Sequence, residues 1–326
     1  VRIAMIKIYD INGCEQNDKT YGGTAGVKIG ITLNGYDYLV KYPGKLKDAN
    51  MKNVEISYSN SPVCEYIGCK IYESLGIPVQ KTWLGTRNGK IVVICGDFLK
   101  TGETIIPFKD IKATFEPAFT DPQGDITNGT GTILKEVLRT LEEQPLSVKN
   151  PALKTRFWDM FVVDALIGNP DRNNENWGLI RDMHRNYRLT PVFDCGNCLN
   201  NKLSDQQMMA YLLDPKSLKD AAIQRPCIFE RAPLKRINPY KYISQMDNPD
   251  CNEAVKRIVP NINIPEIETI ITDIPDDILS PVAKDFYIQL MTMRFELVLQ
   301  PAYEQILSLQ QEIDYDSGDD FEDFEP

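Results

Sequence analysis

The sequence predicts an α+β fold in two lobes, the first built on an antiparallel sheet and the second on helices. Two patterns carry this reading: a strand, strand, helix, strand, strand order across the first hundred residues, and helical periodicity from about residue 130. Size agrees with it, because 326 residues, 42% hydrophobic and 25% charged, can bury a sizeable core shared between two lobes.

Residues 27–33 and 36–42 are apolar, β-prone runs joined by Asn34-Gly35, the dipeptide of a two-residue hairpin. Residues 80–86 and 90–99 repeat the pattern around Asn88-Gly89. Between the hairpins lies a helix with both ends marked: Ser61 as N-cap, Pro62 at the first helical position, and Gly76 then Pro78 at the exit. Further helices are expected over 132–141, from Asn150-Pro151 to Ile167, around Met209 and Ala210, and over 280–309 with a bend at Pro301. Residues 216–250, rich in Pro, Asn and Asp, read as irregular. The expected division is a β-rich lobe at 1–100, a helical lobe at 101–311 and an acidic tail at 312–326.

The formal net charge of −10 is uneven, because residues 312–325 hold eight carboxylates and no basic side chain, which leaves the body near −2. Such a tail reads as solvated and disordered, with docking to a basic partner as the alternative. No basic face of the kind nucleic acid requires is visible, so no nucleic-acid partner is expected. No apolar run approaches the roughly 20 residues of a membrane-spanning helix, and the first residues lack the cleavage site of a signal peptide. Eight cysteines in a chain of this size read as reduced thiols, which makes the cytoplasm the default compartment. Cys195-Gly196-Asn197-Cys198 is a single C-x-x-C without a second ligand pair, and the one histidine, His184, sits in a polar loop. Zinc or redox chemistry there is the minor alternative.

The most informative segments are Gly168-Asn169-Pro170-Asp171-Arg172-Asn173-Asn174-Glu175-Asn176-Trp177-Gly178 and Pro191-Val192-Phe193-Asp194-Cys195-Gly196. An Asp followed five positions later by an Asn, with a second Asp eighteen residues beyond in an Asp-x-Gly turn, suits phosphoryl transfer. Asp171 would orient the attacking hydroxyl, and Asn176 and Asp194 would hold Mg2+ against the phosphates of ATP. A plain surface loop, which Asn-Pro-Asp also favours, is the competing reading.

Upstream, Gly22, Gly23 and Gly26 precede Lys28 in a turn whose backbone N–H groups could approach phosphate oxygens, although the spacing matches no strict nucleotide motif and also suits a mere turn. Lys41 interrupts an apolar strand, where an ammonium needs an anionic partner; nucleotide phosphate together with Glu65, on the first turn of the capped helix, would provide it. A solvent-facing lysine is the alternative. Ile94, Cys95, Gly96, Asp97 and Phe98 end a buried-looking strand at the junction of the lobes, where an adenine could stack and take backbone hydrogen bonds. The order of all these elements along the chain favours the catalytic reading over each isolated alternative.

At Leu166-Ile167-Gly168-Asn169, Asp171-Arg172, Asn176-Trp177-Gly178 and Tyr187-Arg188-Leu189-Thr190-Pro191 leading to Phe193-Asp194, the chain resembles the HipA-like serine/threonine kinases, over roughly residues 20–300. The resemblance implies a two-lobed kinase-like fold, Asp171 as the hydroxyl-orienting base, Asn176 and Asp194 as metal ligands, and Lys41 on the nucleotide phosphates. Asn173 stands where the family often has His, and the His-Arg pair and Ala-Pro-Glu of ordinary protein kinases are missing. The additional N-terminal subdomain of longer HipA proteins is expected to be absent. The expected function is an ATP- and Mg2+-dependent serine/threonine protein kinase acting on a protein acceptor, itself included. A lipid or small-molecule kinase and a non-catalytic nucleotide-binding scaffold are the alternatives, and delivery into a host cell is raised by resemblance alone.

Overall fold

A computed structural model describes residues 6–19, 27–44, 59–115 and 129–318, with side chains through 311. The N-terminal sheet contains β1 (Tyr9–Asp10), β2 (Lys28–Leu33), β3 (Tyr36–Lys41), β4 (Thr82–Arg87) and β5 (Lys90–Gly96), in the spatial order β1-β4-β5-β3-β2. The pairings are antiparallel except β1 with β4. Both hairpin turns have the expected left-handed pairs, Asn34 and Gly35 at φ 52° and 78°, Asn88 and Gly89 at 51° and 68°.

Helix α1 (Ser61–Ser74) lies between the hairpins in sequence. Its N-cap is Asn60, one residue earlier than Ser61, and Gly76 ends it with φ 70°. Side-chain alternation then sorts the sheet. Leu39, Val93 and Cys95 join α1 in the main core, whereas Val40, Val92 and Ile94 pack with Ile11 and Ile31 on the opposite face. Lys41, two residues beyond Leu39, consequently points toward α1.

In the second half, β6 (Thr104–Pro107), β7 (Gly178–Arg181) and β8 (Tyr187–Leu189) form an antiparallel sheet in that order. Around it stand α2 (Phe108–Phe115), α3 (Leu134–Glu143), the single turn α4 (Pro145–Val148) and the central α5 (Ala152–Ile167). Helix α5 is buried over most of its circumference, with Phe157, Trp158 and Phe161 in an aromatic cluster with Phe229 and Tyr242. Each such ring contributes roughly 1.5–3 kcal/mol by leaving water.

Residues 216–250 are more regular than expected. They include most of α7 (Pro215–Ile223), which follows α6 (Asp205–Leu212), then a hairpin of β9 (Glu230–Ala232) and β10 (Lys235–Arg236), and α8 (Pro239–Gln245). Helix α9 (Pro249–Ile258) follows. The Asx-Pro pairs that suggested loops are helix starts: Asp214, Asn238 and Asn248 each accept a backbone N–H, and the following proline takes the first helical position. Asn263 and Ser280 likewise cap α10 (Ile264–Thr272) and α11 (Pro281–Arg294), with proline at the second helical position of α10 and the first of α11.

The interruption expected at Pro301 is a π-helical turn at Phe295–Leu299, followed by α12 (Gln300–Gly318). Proline lacks an N–H and its ring crowds the carbonyl four residues back, which a widened turn relieves. Helix α12 makes 312–318 helical where the sequence predicts disorder, because the Glu, Gln and Leu residues of 304–312 build a helix that propagates into the next turns; 319–326 lie outside the described residues. Among the described residues no helix is long and apolar enough to cross a membrane.

Candidate active site

The Nζ of Lys41 stands 3.1 Å from Oε2 of Glu65 and 2.9 Å from Oδ1 of Asp194. Burial disfavours its charge, but the two carboxylates outweigh burial and raise its pKa well above the ordinary lysine range. Burial likewise works against the Asp194 carboxylate, and Lys41, with smaller help from Lys28 and Arg172, holds its pKa below the usual range. Lys28 sits directly opposite Lys41 in the β2–β3 ladder. Glu65 is 1% exposed, and a Cβ on Gly196 would come within 2.9 Å of its Oε2. The glycine of the Asp-x-Gly turn therefore gives the helix carboxylate its space.

The segment before Asp194 is fastened to the stretch that joins α1 to β4. Val192 donates to the carbonyl of Pro78 and accepts from the N–H of Gln80, both at 2.8 Å. Asp194 itself takes φ 60°, a left-handed conformation that Asp tolerates better than most residues.

Helix α5 ends at Gly168, whose φ is 63°. Arg294 lies beneath it and donates to the carbonyls of Leu166 at 3.1 Å and Ala222 at 2.9 Å, so one buried cation meets the C-terminal ends of α5 and α7. Asp171 N–H then donates to Asn169 Oδ1 at 3.1 Å, and Asn176 Nδ2 donates to the Asp171 carbonyl at 3.1 Å, closing the loop on itself. Trp177 anchors its far end by stacking on Phe108, with centroids 4.0 Å apart.

Three residues outside the sequence-based set complete the site. Asn197 Nδ2 donates to Asp171 Oδ2 at 2.8 Å, joining the two loops directly. Arg172 donates to both oxygens of Asp164 and to the carbonyls of Asn176 and Phe193. Burial disfavours its charge, and Asp164 more than compensates. A signal for this pair was present, since Asp164 in the otherwise apolar stretch 160–167 of α5 demands a buried partner. Nothing in spacing alone points to Asn197.

The expected nucleotide residues fall into three groups. Gly22, Gly23 and Gly26 lie outside the described residues. Ile94 turns to the outer face of the sheet, whereas Cys95 faces the main core beside Leu39 and α1, where burial pushes its thiol pKa up. Gly96, Asp97 and Phe98 line an open cleft of about 970 Å³ with Tyr38, Trp83 and Glu103; its lining does not include Lys41 or Asp194. Phe98 nevertheless reaches inward, its ring 5.7 Å from that of Phe193. The N–H groups of Gly96 and Asp97 are taken by the carbonyls of Lys81 and Asp37. Cys195 and Cys198 are buried free thiols, and no cluster of three His, Cys, Asp or Glu side chains able to hold a metal occurs among the described residues.

No protein-family model matches the chain. It is 35% identical over 322 residues to the serine/threonine-protein kinase CtkA of Helicobacter pylori, covering 96% of this chain and 95% of that protein. The chain belongs to the CtkA family. A crystal structure of the Helicobacter pylori proinflammatory kinase CtkA matches with a TM-score of 0.83 and 34% identity, covering 93% of this chain and 99% of that one. HipA from the HipA, HipB and operator DNA complex of Shewanella oneidensis shares the fold, with a TM-score of 0.51 and 12% identity over 88% of this chain and 68% of the other. This CtkA relative is thus a serine/threonine-protein kinase with an α+β, two-lobed, HipA-like fold. Membership implies a nucleotide phosphoryl donor and a divalent metal in general terms. The donor set fits a hard cation: Asn176 Oδ1 and Asp194 Oδ2 are oxygens that accept no hydrogen bond among the described residues.

Proposed function

We propose that this kinase transfers the γ-phosphoryl group of ATP, with Mg2+, to a Ser or Thr hydroxyl of a protein acceptor, including its own chain. The observation that supports this most directly is the continuity of three roles. Lys41, cationic and poised for phosphate, contacts Asp194 at 2.9 Å, and the Asp194 loop holds Asp171 through Asn197 at 2.8 Å.

Asp171 would accept the proton-bearing side of the acceptor hydroxyl and aim its oxygen at phosphorus. Glu65 would fix Lys41, and Lys41 would neutralise phosphate oxygens. Asn176 and Asp194 would hold Mg2+, whose contribution is to screen the charge of the transferring group. Gly22, Gly23, Gly26 and Lys28 would cover the phosphates, and Cys95 to Phe98 would border the adenine, with Ile94 turned away on the outer face. In this reading residues 1–100 bind nucleotide and 101–311 carry the acceptor and the chemistry, with 312–326 outside both. Catalysis is then mostly positioning and charge neutralisation by groups already held in place.

Incubating the purified chain with γ-labelled ATP, Mg2+ and a generic protein acceptor tests the proposal. Label is expected on Ser or Thr of the acceptor and of the chain, and chelation of the metal should abolish it. Transfer that persists undiminished in excess chelator would refute the metal-dependent reading.

A further inference from the structure

Beyond the Asp194 loop lies a cavity of about 560 Å³ that has no part in the chemistry described above. Its walls include Asn200, Lys202, Leu203, Tyr211, Asp220 and Arg225. The volume falls in the roughly 300–1,000 Å³ range of binding pockets.

Arg225 is partly buried, yet its one described hydrogen bond is to the neutral side-chain oxygen of Asn200. Among the described residues no carboxylate forms an ion pair with Arg225 or Lys202, and Asp220 stays exposed at the rim. Burial disfavours the Arg225 guanidinium, and neighbouring Arg294 adds to the repulsion. A cation withdrawn from water without a counter-charge is costly, and an incoming anion would relieve that cost.

The cavity also lies close to Asp171. Asn200 follows by three residues Asn197, whose amide holds Asp171 at 2.8 Å, and three residues span at most about 10 Å. The chain bends there, with Leu199 and Asn200 at φ 55° and 53°, which turns Lys202 and Leu203 into the cavity wall. An extended polypeptide advances about 3.3 Å per residue, so an acceptor hydroxyl held at Asp171 would leave a side chain two to four positions away within reach of this cavity.

We infer that this cavity is an acceptor subsite, in which Arg225 and Lys202 bind an anionic side chain, carboxylate or phosphate, flanking the Ser or Thr to be phosphorylated. Leu203 and Tyr211 offer apolar surface to its neighbour. The inference rests on the assignment of Asp171 to the acceptor hydroxyl.

Fluorescence anisotropy tests it on the full chain without turnover. The probes are labelled peptides with Ala in place of the acceptor and Glu, phosphoserine or Gln at the positions two to four residues away. Glu or phosphoserine peptides should bind at least about tenfold tighter than the Gln peptide. Arg225→Gln should erase that preference, and Lys202→Gln, at an exposed position whose replacement does not threaten folding, should weaken it. Asp171→Asn should retain it, so that a failure of the catalytic assignment, read separately as phosphoryl transfer by Asp171→Asn, is distinguishable from failure of the subsite. A carboxylate preference and a phosphate preference each support the subsite and say which anion it takes. Equal binding of all three peptides, or a preference unchanged in both variants, would overturn it.

Discussion

The Arg172 guanidinium grips Asp164 by both carboxylate oxygens, at 2.8 and 3.1 Å, with both residues buried. Its remaining nitrogen reaches the carbonyls of Phe193 and Asn176. One side chain therefore ties the central helix to both loops of the site. Arg172→Met should cost about 3–5 kcal/mol of stability, because it strands a buried carboxylate. Arg172→Lys should recover little of this, since an ammonium cannot reproduce the fork. The double variant Asp164→Leu with Arg172→Met should cost less than Arg172→Met alone. Urea unfolding followed by tryptophan fluorescence gives the cycle.

Glu65 reaches Lys41 at 3.1 Å from a buried position. Glu65→Gln keeps the volume and removes the charge that fixes the ammonium. Steady-state kinetics with ATP should show kcat/KM lower by at least about tenfold, or ~1.4 kcal/mol in the barrier, and Lys41→Met lower by about a hundredfold or more. An unchanged kcat/KM in Glu65→Gln would mean that the ion pair is not used in transfer.

Gly168 has φ 63°, and a Cβ there would stand 2.5 Å from a nitrogen of Arg294. Gly168→Ala should destabilise the protein by about 1–3 kcal/mol through left-handed strain, with steric displacement of Arg294 in addition. A lowered melting temperature together with weakened transfer is expected, because the same residue opens the loop that carries Asp171.

The pH dependence of the Lys41 and Asp194 pair has a defined sign. Asp194 has a depressed pKa in the fold, so its contribution is present above the unfolded value of about 3.9 and is lost as pH falls through the lower folded value. Lys41 has a raised pKa, so its contribution is present below about 10.4 and is lost as pH rises through the higher folded value. The stability difference between wild type and Asp194→Asn should be flat from about pH 5 to 9 and shrink below about pH 4. Urea titrations across that range measure it.

Local signals made the N-terminal lobe legible. Asn34-Gly35, Asn88-Gly89 and Gly76 need left-handed backbone, so sequence and conformation correspond almost one to one there. Between Asp214 and Pro249 the same residue types were ambiguous, because an Asx-Pro pair both breaks one element and starts the next, and only packing decides between them. Lys41 and Glu65 were recognisable because burying a charge demands a partner. The Arg172 and Asp164 pair obeys the same rule, but its partners sit on different elements, the central helix and the loop after it, and only the fold brings them together. Asn197 left no trace in spacing, since its contact with Asp171 arises from how two loops approach in space.

Phosphoryl transfer from γ-labelled ATP by wild type, Asp171→Ala and Asp194→Ala, run beside nucleotide binding and folding controls, tests the assignment of the site most directly. Both variants should remain folded and lose a factor of about a thousand or more in rate, several kcal/mol of transition-state stabilisation. Near-normal transfer by either folded variant would contradict it.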